Sequence, residues 1–211
     1  MDDLIREAAS LIAVREGAGG PEVLVLERSG ASRFLPGYVV FPGGAADAGD
    51  AELAARWFGS SDEAARACAV RELAEEAGLA LTDAGLVCDG ALDSVDAAPP
   101  ALDQLGELAR WIAPRSVPVR FDARFFVVSA GNGPDPTPDG TEAVAAWWAS
   151  PRHLLREWEA GVRKLYWPTW FTMQALARAE TVDELLALRI RTREPDDGEL
   201  GRLPRSVFRQ D

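Results

Sequence analysis

Ala8 to Val14 is apolar almost without a break, and a second apolar run extends from Glu22 to Leu26. Runs this short read as strands. Gly17-Ala18-Gly19-Gly20-Pro21 between them predicts a hairpin. Arg28 to Pro36 is polar and reads as a loop, and Tyr38 to Phe41 as another short strand. From about Asp62 to Ala77 the period changes. Ala65, Ala69, Leu73 and Ala77 recur every fourth position, which is the apolar stripe of a helix. Ser60 with Glu63 has capping-box spacing, and Gly78 suits the left-handed residue just past a helix end.

Leu86 to Cys88 predicts a weak strand, Asp93 to Pro100 a loop, and Leu102 to Trp111 a segment at least partly helical. Val117 to Ala130 carries a strand pattern, strongest over Ala123 to Val128. The Gly- and Pro-rich stretch 132–140 is a loop, and Glu142 to Trp148 is a strand. Helices are predicted over Leu154 to Trp158, over Trp170 to Ala179 behind Trp167-Pro168-Thr169, and from Thr181 onward. Strands mixed with helices make this an α/β chain. The pattern gives one domain over 1–193 and a charged, loosely ordered tail over 194–211.

Composition narrows the chemistry. The 211 residues are 47% hydrophobic and 27% charged, an ordinary globular balance. No run approaches the ~20 apolar residues of a membrane span. The acidic start, Met1-Asp2-Asp3, lacks the basic-then-apolar order of a signal peptide. Cys68 and Cys88 lie in apolar context and read as buried free thiols, so a cytoplasmic protein is expected. A net charge of -12 argues against broad affinity for nucleic acid. His153 is the single histidine, which leaves little for a Ser-His-Asp triad or a His-rich zinc site.

The most informative stretch is Arg71-Glu72-Leu73-Ala74-Glu75-Glu76-Ala77-Gly78-Leu79. Glu72, Glu75 and Glu76 stand at i, i+3 and i+4 and share one helix face. Like charges so stacked repel, and a hard cation such as Mg2+ or Mn2+ would relieve them. Upstream, Phe41-Pro42-Gly43-Gly44 reads as a glycine turn where backbone can approach a ligand closely.

At these residues the chain resembles the Nudix hydrolases. Glu63, seven residues, then Arg71 to Leu79 fits their signature, but the glycine expected ahead of the acid is Trp57. Counted forward from Gly44, the acid falls instead on Asp50. The box is therefore split by an insert at about 51–61, where Ala51 to Phe58 reads as an extra helical turn or two.

The resemblance implies an α/β/α sandwich with a mixed sheet and divalent-metal-dependent hydrolysis of a pyrophosphate bond. It implies Glu72, Glu75 and Glu76 as metal ligands, with the general base on Glu72 or, alternatively, on Glu142 before Trp148-Ala149-Ser150-Pro151. It implies that Arg71 pairs with the loop acid. Glu63 is the candidate partner if it is not simply part of the capping box, and Asp50 is a second loop acid or plain surface. Arg28-Ser29, Arg33, Gly37 and Phe41 to Gly44 resemble the extra motif of coenzyme A diphosphatases, with Leu26 in place of the usual threonine. Arg28 and Arg33 would clamp an additional phosphate unless they only decorate the loop, and Gly43 and Gly44 would lie against substrate. Tyr166 to Thr169 is the expected substrate-side wall. Coenzyme A or an acyl-coenzyme A is the expected substrate, ADP-ribose or a dinucleotide the alternative, and a non-catalytic nucleotide-binding regulator the reading from another class. Homodimers are frequent among such relatives.

Overall fold

A computed structural model describes residues 5–88, 92–116 and 119–208. Strands β1 (Ile5–Gly17) and β2 (Gly20–Arg28) form the expected hairpin, with Val14 opposite Val23 and Gly17 opposite Gly20. β3 (Tyr38–Val40) and β4 (Gly43–Ala45) follow. Next come α1 (Ala48–Phe58), a 3-10 turn (Ser61–Glu63) and α2 (Ala64–Ala77). β5 (Ala80–Thr82) and β6 (Gly85–Val87) make a separate two-stranded sheet. The remaining elements are α3 (Leu92–Ala97), β7 (Gly106–Ile112), β8 (Arg120–Ser129), β9 (Ala143–Ala149), α4 (Pro151–Glu159), β10 (Lys164–Leu165), α5 (Trp167–Leu176), α6 (Val182–Ala187) and α7 (Asp197–Leu200).

The main sheet runs β10-β3-β2-β1-β8-β7, with β9 also on β2 and β4 also on β1. It is mixed, because β1 and β8 run parallel from Ile5–Arg120 to Val14–Ser129 while β1–β2 and β7–β8 are antiparallel. Alternate residues of β1 feed two cores, as a pleated strand demands. Ala9, Leu11 and Ala13 pack with α1 and α2 on one face. Ile12 and Val14 pack with α4, α5 and α6 on the other. The α/β/α expectation holds. Among the described residues, no helix is long and apolar enough to cross a membrane.

β1 also opens the sheet. Its C-terminal half pairs with β2 (Val14–Gly17), but its N-terminal half pairs with β4 (Ala8–Ser10). Phe41 to Ala45 fills the wedge, pinned by Leu11 N–H to Pro42 O at 2.9 Å. The glycines at 43 and 44 are therefore strand, not the expected turn. This wedge lets side chains of α2 reach the far face of the sheet.

Four further expectations change. Leu102 to Trp111 is not helical beyond a 3-10 turn at Leu102–Gln104. It becomes β7 because β8 needs an edge partner, and the strand buries Leu108 and Trp111 while leaving Arg110 outside. Asp93 to Pro100 is largely α3, with Val95 buried and Asp96 accepting Trp57 Nε1–H at 2.6 Å. Cys88 is exposed, whereas Cys68 is buried, and both are free thiols. The stretch 194–208 is not loose: Leu200 and Val207 enter the second core, and the Tyr38 hydroxyl donates to Phe208 O at 2.8 Å. Val117 and Pro118 of the expected strand, and residues 209–211 of the expected tail, lie outside the described residues. The insert forms one regular helix, α1, capped by Asp47 and closed by Gly59 at φ 76°.

Candidate active site

A cleft of about 610 Å³ opens on the α5 side of the sheet, within the usual size of a small-molecule site. Glu72, Glu75 and Glu76 of α2 line it together with Arg28, Gly43, Gly44, Arg71 and Glu142. The carboxylates share one face as their spacing requires, and Gly78 ends the helix at φ 65°.

Both glycines of the wedge sit in close approach, Gly43 against the β1 backbone and Gly44 against the end of the Glu72 side chain, which a Cβ would displace. A Cβ on Gly44 would stand 2.4 Å from a Glu72 carboxylate oxygen, and one on Gly43 would stand 2.3 Å from Ser10 Oγ. Gly43 N–H also donates to Glu76 Oε2 at 2.9 Å. Burial, chiefly, pushes the Glu76 carboxyl up to about 7; Glu72 and Glu142 push the same way, while Gly43 N–H and Arg28 oppose them. Glu72 is raised too, mainly by burial, against the pull of Arg71.

Arg71 organises this face. Its Nε and Nη2 donate to Asp50 Oδ1 and Oδ2 at 2.8 and 3.1 Å, and its Nη1 donates to Glu72 and Glu75 at 2.7 and 2.9 Å. Asp50 is fully buried and also accepts Asp47 N–H at 2.9 Å. Glu63 is not the partner of Arg71, and no capping box forms with Ser60; it pairs with Arg66 one turn on, and Ser60 Oγ accepts Asp62 N–H. The loop acid is therefore Asp50, and the insert enters behind it. The local pattern favoured Glu63 because sequence spacing does not show on which side of the acid an insertion falls.

The other candidates separate. Arg28 Nη1 stands 3.6 Å from Glu76 Oε1, and its Nε donates to Phe34 O at 3.0 Å. Arg33 is exposed and is not among the cleft residues. Glu142 lies at the cleft on a loop built by Asp139, whose carboxylate accepts the backbone N–H groups of Thr141, Glu142 and Ala143. Sequence reasoning missed Asp139; the Asp-Gly pair at 139–140, a turn signal, could have marked it. Ser29 N–H ties the same loop to Glu142 O at 2.8 Å. Tyr166, Trp167, Pro168 and Thr169 do line the cleft. Trp148 instead stacks under Arg15, and Trp158 and Trp170 pack in the second core. His153 is exposed on α4.

The NUDIX domain family profile matches residues 4–171, most of the chain. This chain belongs to the Nudix hydrolase family. A crystal structure of a Nudix hydrolase from Alicyclobacillus acidocaldarius superposes with a TM-score of 0.77 at 34% identity, covering 90% of this chain and 99% of that one. The Nudix domain of Shewanella oneidensis NrtR, complexed with ADP ribose, matches at TM-score 0.55 and 14% identity, with 83% and 87% covered, and speaks for the fold alone. Putative nudix hydrolase 7 of Caenorhabditis elegans is 28% identical over 194 residues, 84% of this chain and 62% of that protein. The chain thus spans less than two thirds of that relative's length.

As a Nudix site, the α2 face has the donor chemistry for a hard divalent cation: several carboxylate oxygens on one face, with the Glu76 carboxyl raised to about 7 chiefly by burial and further by Glu72 and Glu142. Among the described residues, no three His, Cys, Asp or Glu groups are already gathered around a common point. The reason is visible in the pairing. Glu72 and Glu75 turn onto Arg71, and Glu76 turns onto Gly43 and Arg28. The arginines occupy the position in charge that a cation would take.

Proposed function

We propose that the protein hydrolyses the pyrophosphate bond of a nucleoside diphosphate linked to another moiety, using Mg2+ or Mn2+, with coenzyme A or an acyl-coenzyme A as the leading substrate. The observation that carries this reading is the composition of one cleft. The three carboxylates of α2, Glu142 and Arg28 line it together with an aromatic and aliphatic wall that includes Phe34, Phe121, Tyr166 and Trp167. Glu72, Glu75 and Glu76 would hold the metal, which when bound neutralises phosphate charge and makes water a better nucleophile. Arg28, freed from Glu76, binds a phosphate oxygen. Glu72 takes the proton of the attacking water, with Glu142 as the alternative base. Arg71 lines the same cleft and fixes Glu72 and Glu75 against Asp50.

A second reading, ADP-ribose or a dinucleotide, is favoured by the position of Arg33 outside the cleft, which leaves Arg28 without its partner in a phosphate clamp. The deciding experiment is mass-detected cleavage of coenzyme A, acyl-coenzyme A, ADP-ribose and dinucleoside polyphosphates with Mg2+. Preferred cleavage of the coenzyme A compounds supports the first reading and preferred cleavage of ADP-ribose the second. No turnover of any of them overturns both.

A further inference from the structure

The cleft holds more apolar wall than the opening of a phosphoanhydride requires. Beyond the carboxylates it is lined by Phe34, Val119, Phe121, Phe125, Tyr166 and Trp167. Phe34 and Val119 are 42% and 52% exposed, an unfavourable state for large apolar side chains that face a cavity. Phe34 is nevertheless held in place. Its ring meets Phe121 at 5.9 Å and Tyr166 at 6.1 Å, so it bridges the start of β8 and the approach to α5. The next residue, Leu35, is buried at φ 51° and turns the loop, and Arg28 Nε–H grips Phe34 O. The same Arg28 faces Glu76, so one side chain joins the charged and apolar halves of the cleft.

We infer that this aromatic arm is a subsite for an aliphatic chain carried beyond the diphosphate, and that Phe34 and Tyr166 set the preference for chain length. The inference rests on the reading that a diphosphate binds at the α2 face. A nucleobase would stack on these rings, but its polar ring edges need partners, and apart from the Tyr166 hydroxyl and the Trp167 indole N–H the side chains of Phe34, Val119, Phe121 and Phe125 present hydrocarbon alone. Methylene groups bring no such demand. Each one buried adds about fourfold to affinity or to kcat/KM.

The test uses P2-alkyl esters of adenosine 5′-diphosphate from methyl to octyl, which do not presuppose coenzyme A. Binding without metal is read from the fluorescence of Trp111 and Trp167, both lining the cleft, and hydrolysis is read with Mg2+. Affinity and kcat/KM are expected to rise about threefold to fourfold per methylene, and Phe34→Ala and Tyr166→Ser are expected to flatten that slope. Phe34→Ala is the safer variant for folding, because the ring is exposed. A chain-length response that is flat in the wild type, or that survives both substitutions, overturns the inference. Rising affinity with no hydrolysis supports the arm and counts against the proposed function. Cleavage of ADP-ribose with no dependence on chain length does the reverse.

Discussion

Glu72, Glu75 and Glu76 come from five consecutive residues of one helix, whereas Phe34, Phe121 and Tyr166 come from segments at least 45 positions apart. The two halves of the cleft follow different physics. Charge must be directed, so the carboxylates sit on a rigid local scaffold and are tied by Arg71 and by Gly43 N–H. Apolar contact is non-directional, so the aromatic half needs only that the tertiary fold bring rings together. One half is written in a motif; the other exists only once the chain has folded.

That contrast can be broken most sharply on the charged side. Glu72→Gln or Glu76→Gln should each lower hydrolysis by about 10²- to 10⁴-fold while the protein still folds and melts cooperatively, measured by initial rates and calorimetry. Wild-type rates in both variants would remove the α2 face from the chemistry. Next in size, Arg71→Ala strands the buried Asp50 and should reduce stability by about 3–5 kcal/mol in denaturant titrations. Asp50→Asn in the same chain should recover part of that loss.

A pH profile sharpens the same point. The Glu76 carboxyl is raised from 4.5 to about 7 in the folded protein, so the folded state binds its proton more tightly than the unfolded chain. Its contribution to stability is present in full below the unfolded value and is lost as pH rises through about 7. Metal-free protein in chelator should therefore lose stability between about pH 5 and 8, and Glu76→Gln should flatten that decline. Smallest of all, Glu63→Ala breaks only a partly exposed pair with Arg66 and should alter stability by about 0–1 kcal/mol. A loss as large as that of Arg71→Ala would mean that Glu63, not Asp50, anchors the box.

How much could be read beforehand follows from the same division. Helix α2, its closing glycine and the β1–β2 hairpin were legible because periodicity and turn residues are local signals. β7 was not, because Leu102, Leu105 and Leu108 repeat every third residue and imitate a helix, while the demand of the β8 edge for a partner cannot be seen in the segment itself. The pairing of Arg71 with Asp50 was half legible. Both acids were candidates, but only the fold shows which one is buried against the guanidinium. Phe34 carried no signal, since a single ring in a polar loop has no period.

The insert has one more consequence. Its near end is fixed by Asp50 on Arg71, and its far end runs straight into α2, so the span between them is a loop already closed by the site. Closing a longer loop between fixed ends costs only about 0.6 kcal/mol for each doubling of its length. Helix α1 offsets that by packing Ala54 and Trp57 into the first core. The exposed turn at Gly59 is thus a point at which the chain can grow while the carboxylates stay where they are, whereas trimming α1 would strip Ala54 and Trp57 from the core.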